Sequence, residues 1–527
     1  MAAEAGAPPA RRRLRPGKVP WELVAAHLAA DLPPEVRLGP ACGEDAALIF
    51  IGGELWAVAS DPVSFTTAGA GRLAVTVNAN DVAVRGARPR FFTAVVLLAP
   101  GEDAAAAGAL LDEIAAACAG LDVALIGGHT EVTPGLAHGL VVGTMLGRVE
   151  GRAVTTGGLR PGDRVGLVGW AGLEGTSILL AELGDRLHSR LDAGALAELE
   201  RALAGDWLSV VTPALAAAGV AGVSSLHDVT EGGVGEALHE MGAASGLRVE
   251  VEPEAVPVLG ATRGACAALG LDPLGLIGSG GLLVGCAEAE VGNLKAALAT
   301  SGRPLRWIGR ATRGRPGCTG VPRFPRDEIL RVHALDGVEA VIFDMDGTLV
   351  DSPYDWPAIR RRLGVTDRSL IDGIESLPEP GRSRAWRELE AVEAEATRRA
   401  TLLPGARELL AFLARRGLAT ALVTNNSAAN ARALLERFGL AFDAVVTRDD
   451  GVHKPSGAPL AAACRRLGVS PAACLVVGDS HYDLEAAADA GCARTCILHR
   501  RARELRDAAD LAFADIRALL AFLEIVL

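Results

Sequence analysis

The sequence predicts a multidomain α/β chain: a two-subdomain α/β module followed by a doubly wound parallel α/β domain that carries a short helical cap. Three observations predict it. The 527 residues exceed the roughly 100–200 of a single domain. Short apolar runs alternate with helix-length stretches along the whole chain, which is the pattern of strand–helix units. That alternation restarts cleanly at residue 338, after a stretch dense in Gly, Pro and Arg that has no periodicity.

Taken in order, residues 1–16 read as a flexible basic tail, because no apolar run follows the arginines as a signal peptide would need. Residues 17–150 form the first subdomain. It contains the helix-like PWELVAAHLAADL, the strand pair DAALIFIGGELWAVASD, the helix-like RLAVTVNANDVAVRGA and the strand FFTAVVLLA. An alanine-rich helix near 102–120 and the strands VALIGG and HGLVVGTMLGRV complete it. The Pro-Gly-Asp turn in GGLRPGDRVGLVG opens a second subdomain, residues 151–315. Residues 316–337 read as a linker. Residues 338–527 then repeat strand and helix, EAVIFDMDGTLV to ARTCIL, with a charged helical insert at about 353–403 expected to act as the cap.

Composition narrows the partners. A hydrophobic fraction of 50% with 22% charged residues supports several cores under a wet surface. The formal charge of −12 argues against nucleic acid as a partner. Apolar runs are interrupted well before the roughly 18 residues of a membrane span, so no membrane association is expected. Nine cysteines without a CxxC pair give no zinc signature and suit a reducing, cytoplasmic location.

The most specific chemistry lies in VIFDMDGTLV. Asp344 and Asp346 stand two residues apart at the carboxyl end of a strand, where open α/β sheets bind ligands. Two carboxylates would repel a phosphate, so a divalent cation is needed to neutralise them. Further acids arrive in LVVGDSHYD as Asp479 and Asp483, while Thr424 in TALVT and Lys454 in GVHKPSGAP can supply a hydroxyl and a fixed cation. The histidines next to these motifs, His453 and His481, read as surface or supporting groups. DMDGT, VTNN, HKP and GDSHYD in this order resemble the haloacid dehalogenase superfamily of phosphohydrolases over about 338–527. The resemblance implies a nucleophilic Asp344 that becomes an aspartyl phosphate, and Asp346 as general acid and base. It further implies Thr424 and Lys454 on the phosphoryl oxygens. Mg2+ would be held by Asp344, the backbone carbonyl of Asp346, Asp479 and Asp483.

A second group of acids occupies the first three hundred residues. GEDAAL carries Glu44 and Asp45, ASDPVSF carries Asp61, and NANDVAVRGARP carries Asn80 and Asp81; GGHTEVTP supplies Gly127, Gly128, His129, Thr130 and Glu131. Glycines admit phosphates to backbone amides, and acids on separate elements can gather Mg2+ around a polyphosphate, which suggests a nucleotide site without a Walker loop. GEDAA, NDVAVRGARP, GGHTE, LRPGD and HDVTEGGVGEAL together resemble the aminoimidazole ribonucleotide (AIR) synthetase superfamily, which has PurM-like, hydrogenase-maturation and thiamine monophosphate kinase branches, over about 17–315. The resemblance implies ATP held with Mg2+ by Asp45, Asp61 and Asp81, and a homodimer formed through strands of the first subdomain. His227, Asp228, Glu231, Gly232 and Gly233 match a motif of the second subdomain. Three departures bear on substrate: the selenophosphate synthetase branch carries a reactive cysteine or selenocysteine near a glycine-rich N-terminus, and ARRRLRPGK has none. The maturation branch ends in an acceptor cysteine, for which Cys318 is the nearest candidate here, read as an ordinary linker thiol. The kinase branch favours paired aspartates where this chain has Glu44 and Asp45.

The expected function is therefore bifunctional, with an ATP-dependent synthetase- or kinase-like module and a Mg2+-dependent phosphatase acting on a small phosphorylated metabolite. The alternative is an ATP-binding regulatory or maturation module fused to that phosphatase.

Overall fold

Gly52 and Gly53 both take positive φ (59° and 86°), the requirement of the two-residue turn that matches strand twist. They join β2 (Ala47–Ile51) to β3 (Glu54–Ala59) as a hairpin. With β1 (Val36–Leu38), β4 (Pro62–Val63), β5 (Ala87–Leu98), β6 (Ala124–Val132) and β7 (Leu140–Val149) they build one sheet, in the order β1-β2-β3-β7-β5-β6 with β4 on β7. Only its β5–β6 pair is parallel. Helix Ala70–Ala83 packs on this sheet and is buried on nearly every side, as its run of Ala, Val and Gly allows.

A second sheet holds β8 (Arg164–Val168), β9 (Val223–Asp228), β10 (Arg248–Val251), β11 (Leu282–Cys286), β12 (Leu305–Thr312) and β13 (Gly317–Thr319). Its order is β13-β10-β12-β8-β11-β9, and all pairs are antiparallel except β10–β13. Val75, Phe92 and Met145 of the first subdomain share one apolar cluster with Leu226, Leu282 and Val284 of the second, so the two are held by a common core.

The computed structural model describes residues 14, 16–28, 31–63, 69–136, 138–203, 205–367, 369–498, 505 and 508–527. Most of the expected basic tail lies outside the described residues. Among those described, the chain forms two compact units, Met1–Leu330 and Arg331–Leu527. The Gly-, Pro- and Arg-rich stretch that reads as a linker is, up to residue 330, an integral part of the first unit. Gly317–Thr319 extends the second sheet, and Val321 and Phe324 enter its core. The buried Asp327 carboxylate accepts from the backbone N–H groups of Gly232, Ile277 and Ile329. Periodicity misses such a segment because backbone pairing and one polar anchor fix it, not an apolar face.

In the second unit, β14 (Ala340–Phe343) is buried at every residue, the mark of a central strand covered on both faces. β15 (Val350–Asp351) and β16 (Thr401–Leu402) form a small ribbon at the base of the insert. β17 (Ala419–Val423), β18 (Ala444–Val446), β19 (Cys474–Gly478), β20 (Arg494–Leu498) and β21 (Leu511–Phe513) complete a sheet ordered β18-β17-β14-β19-β20-β21, parallel throughout. The insert folds as helices Trp356–Leu363, Leu370–Glu375 and Gly381–Arg399 around a small core of Ile359, Leu363, Ile374 and Leu389. Asp355 and Ser369 cap the first two of these helices. No described helix is long and apolar enough to cross a membrane.

Candidate functional sites

In the second unit the site follows from sheet order. β17, β14 and β19 are neighbours, and Thr424, Asp344 and Asp479 are the first residues past their carboxyl ends. Three motifs far apart in sequence therefore converge on one edge. Asp344, Asp479 and Asp483 each place a carboxylate oxygen within 4.8 Å of the others. Lys454 Nζ donates to Asp344 Oδ1 at 2.5 Å and to Asp483 Oδ1 at 2.6 Å. The lysine is itself positioned by Asn425, whose side chain accepts from Lys454 N at 2.8 Å and donates to Lys454 O at 2.9 Å. Asp483 Oδ2 accepts from Ser480 N and Ser480 Oγ, capping helix His481–Ala490. Both Asp483 oxygens are thus engaged, and its first role is to anchor the lysine and the loop.

Asp346 Oδ2 accepts from Asn426 Nδ2 at 3.4 Å, and Ser352 lies beside the same buried carboxyl. Gly347 permits this packing: its φ is +85°, and a Cβ there would stand 2.2 Å from Asp479 Oδ2. Burial, then the like charges of Asp483 and Asp479, push the Asp344 carboxyl well above its ordinary range despite Lys454. Asp479 is pushed up to about 7 by burial and by Asp483. Asp346 is raised by burial. For Lys454, burial would favour the neutral amine, but Asp344 and Asp483 hold it charged. Above these groups lies a cavity of about 410 Å³, walled on the cap side by Tyr354, Trp356, Leu370, Ile371 and Leu389.

The first unit holds a different cluster. Asp45 Oδ2 lies 3.2 Å from His227 Nδ1, and Glu240 Oε2 lies 3.1 Å from His227 Nε2, so the buried imidazole is clamped between two carboxylates. Burial opposes charge on the ring, but Asp45 and Glu240 raise it to about 10. Burial likewise opposes ionisation of Asp45, and His227 nevertheless holds it below the usual carboxylate range. Asp81 and Asp228 are 0% and 1% exposed. None of their four carboxylate oxygens receives an N–H or hydroxyl donor, and the neighbour of Asp81 is another acid, Asp61. Burial, followed by neighbouring acids, pushes Asp81 well above its ordinary value and Asp228 up to about 7. Asp61 is raised for the same reasons. Buried carboxylates without donors are costly unless a cation joins them, and the donor set of hard oxygens suits Mg2+.

Other expected residues have different duties. Asn80 donates to Leu208 O at 2.9 Å and accepts from Val210 N at 2.7 Å, so its amide is used to hold the 208–210 backbone. Gly127, Gly128, His129, Thr130 and Glu131 do not form a loop after a strand. They are the body of β6, an edge strand exposed along its whole length and outside the buried acid cluster. Gly128 is required there because a Cβ would meet Ala94 O at 1.9 Å. Glu131 is paired with His129 at 3.1 Å and with Thr133 at 2.8 Å.

Sequence reading missed several supporting residues. Asn78 accepts from Asp61 N and donates to Asp61 O, fixing that acid. Arg85, fully buried, pairs with Glu44 at 3.0 Å, and Glu44 accepts from Thr156 N and Gly157 N across to the second subdomain. Lys18 approaches Glu240 at 3.7 Å, and its backbone N–H donates to Glu231. Asn78 lies inside helix Ala70–Ala83 three residues before Asp81, so helical spacing could have flagged it, whereas Arg85 lies just past the helix end.

Residues 43–149 match the model of the AIR synthase related protein N-terminal domain, and residues 160–319 match that of its C-terminal domain. Residues 353–491 match the haloacid dehalogenase-like hydrolase model. The chain is 32% identical to an uncharacterised hydrolase of Saccharomyces cerevisiae over 169 residues, 31% of this chain and 78% of that one. It is 33% identical to the carbamoyl dehydratase HypE of Rhodobacter capsulatus over 242 residues, 45% of this chain and 67% of that one. Among solved structures, Escherichia coli HypE aligns with 26% identity and a TM-score of 0.45, covering 52% of this chain and 85% of that chain.

Proposed function

From a chain that belongs to the AIR synthase related proteins through its first unit and to the haloacid dehalogenase-like hydrolases through its second, we propose a bifunctional enzyme. The second unit is read as a Mg2+-dependent phosphohydrolase of a small phosphorylated metabolite. The first is read as an ATP-dependent synthetase- or kinase-like module. The observation that carries the phosphohydrolase reading is the convergence of Asp344, Lys454, Asp479 and Asp483 at one sheet edge beneath a capped cavity.

The crowded acids of this edge fit a divalent cation, with Asp344, the Asp346 carbonyl and Asp479 as its holders. Bound there, it would supply the charge neutralisation that lets an anionic carboxylate meet an anionic phosphoryl group. The chain's own residues do the rest. An Asp344 oxygen attacks phosphorus while the bond to the leaving oxygen breaks, and the Asp346 carboxylic acid gives its proton to that oxygen. Asp346, now a carboxylate, then takes a proton from the water that attacks the aspartyl phosphate, and Asp344 and inorganic phosphate are released. Its raised pKa suits the first, acidic role. Lys454 and Thr424 hold the phosphoryl oxygens.

In the first unit, the donorless Asp81 and Asp228 with Asp45 and Asp61 fit a Mg2+–ATP site. The exposed β6 edge, with Leu125, Ile126 and Val132 at 45%, 57% and 59% exposure, suits pairing with a second copy. The test is hydrolysis of a generic phosphate ester, lost on Asp344→Asn and on chelation of divalent ions, with ATP binding retained by the variant. Equal loss of both activities would contradict two separate sites.

A maturation role, as the carbamoyl dehydratase relatives suggest, is the second reading. It requires a thiol that accepts a carbamoyl group. Cys318 is half-buried on β13, its thiol donates to Thr319 O at 3.5 Å, and burial pushes it up to about 11, which makes a poor nucleophile at neutral pH. Loss of first-unit activity in Cys318→Ser would favour this reading over the kinase-like one.

A further inference from the structure

The cap wall raises a question that the reacting groups do not answer. Trp356 opens a cap helix yet remains 44% exposed, and it takes no part in the cap's own apolar cluster. It stacks on Tyr354 with ring centroids 4.4 Å apart and planes 23° from parallel. Tyr354 in turn is tied to the reacting edge, because Asn426 Nδ2 donates both to Tyr354 Oη at 3.2 Å and to Asp346 Oδ2 at 3.4 Å. An indole is therefore held at a fixed offset from the acid that protonates the leaving group, and it lines the same cavity.

The remaining wall is equally selective. Leu370, Ile371 and Leu389 present aliphatic surface. Polar groups also line the cavity, and each is engaged with the chain: Glu393 and Arg448 pair in two contacts, one at 2.8 Å, Arg360 donates to Asp367 O and to Tyr482 Oη, Ser369 Oγ accepts from Asp372 N, and Ser480 Oγ donates to Asp483. A sugar or polyol leaving group buried here would have to draw these groups away from the partners they already hold, and each unmet hydroxyl costs binding energy. A flat ring needs only area and a π face.

Resting on the phosphohydrolase reading, we propose that the preferred substrates are phosphomonoesters whose alcohol carries an aromatic or heteroaromatic ring, seated against Trp356 between Leu370, Ile371 and Leu389. Trp356 is the specificity-determining residue. The cavity of about 410 Å³ admits one such ring with its phosphate, at the small end of the range of ligand pockets.

The test uses the full chain with Mg2+ and two primary-alkyl esters, benzyl phosphate and glycerol 3-phosphate. The expected kcat/KM ratio favours benzyl phosphate by about tenfold or more, the range that apolar pocket contacts deliver. Trp356→Ala collapses that ratio to near unity, mainly through KM for the benzyl ester, and Trp356→Phe recovers most of it. A purely structural role for Trp356 would lower both values together and leave the ratio unchanged. That outcome, or equal or better hydrolysis of glycerol 3-phosphate by the unaltered chain, overturns the proposal while leaving the phosphohydrolase reading intact. Hydrolysis of neither ester overturns both.

Discussion

The two acid clusters solve the same electrostatic problem differently. In the second unit a buried lysine stands inside the cluster, and Lys454 pairs with both Asp344 and Asp483. In the first unit the cations are committed elsewhere. Arg85 holds Glu44 and His227 bridges Asp45 to Glu240, which leaves Asp81 and Asp228 with no cation donating to them. The second unit's cluster is compensated in part by its own lysine, whereas Asp81 and Asp228 of the first unit have no such cation bonded to them. The difference teaches that a chain's own lysine can order part of an acid cluster in advance, and that a cluster without one would gain more from an added cation.

Four experiments sharpen or break this contrast. The largest effect is on turnover: Asp344→Asn should lower phosphate-ester hydrolysis by at least about a thousandfold, as removal of a nucleophile does, in steady-state assays. Next, Lys454→Met should destabilise the second unit by about 3–5 kcal/mol, since it removes the cation that pairs with two buried carboxylates, and calorimetry with and without Mg2+ would measure it. A loss below about 1 kcal/mol would mean that the lysine does not compensate the cluster. For the first unit, Mg2+–ATP at a hundredfold excess over its Kd should add about 2.7 kcal/mol of stability. Asp81→Asn should abolish that gain, yet should stabilise the cation-free protein by on the order of 1 kcal/mol through relief of repulsion. The smallest effect distinguishes support from ligation: Asn80→Ala should cost about 1–3 kcal/mol through its two lost backbone bonds, with nucleotide affinity per folded molecule unchanged.

How much of this was legible in sequence depended on distance along the chain. Asp344, Thr424 and Asp479 could be placed because each directly follows a short apolar strand, and strand order in a parallel α/β sheet then brings the three ends together. The capping role of Ser480 and Asp483 follows from equally local spacing. GGHTE misled because two glycines suggest a phosphate loop, whereas Gly128 is there to let β6 approach Ala94 of β5, a contact set by long-range pairing. Asp327 was invisible for a related reason: its partners Gly232 and Ile277 are remote in sequence, so the segment around it carried only the composition of a linker. The clamp of His227 between Asp45 and Glu240 joins three separate elements and has no local signature either.

Chemical trapping of the phosphorylated enzyme is the most direct measurement. Protein mixed with benzyl phosphate and Mg2+, quenched in acid and reduced with borohydride should yield homoserine at position 344 by peptide mass spectrometry, because an acyl phosphate is reduced where a free carboxylate is not. Unmodified Asp344 during active turnover, or homoserine at another aspartate, would contradict Asp344 as the nucleophile.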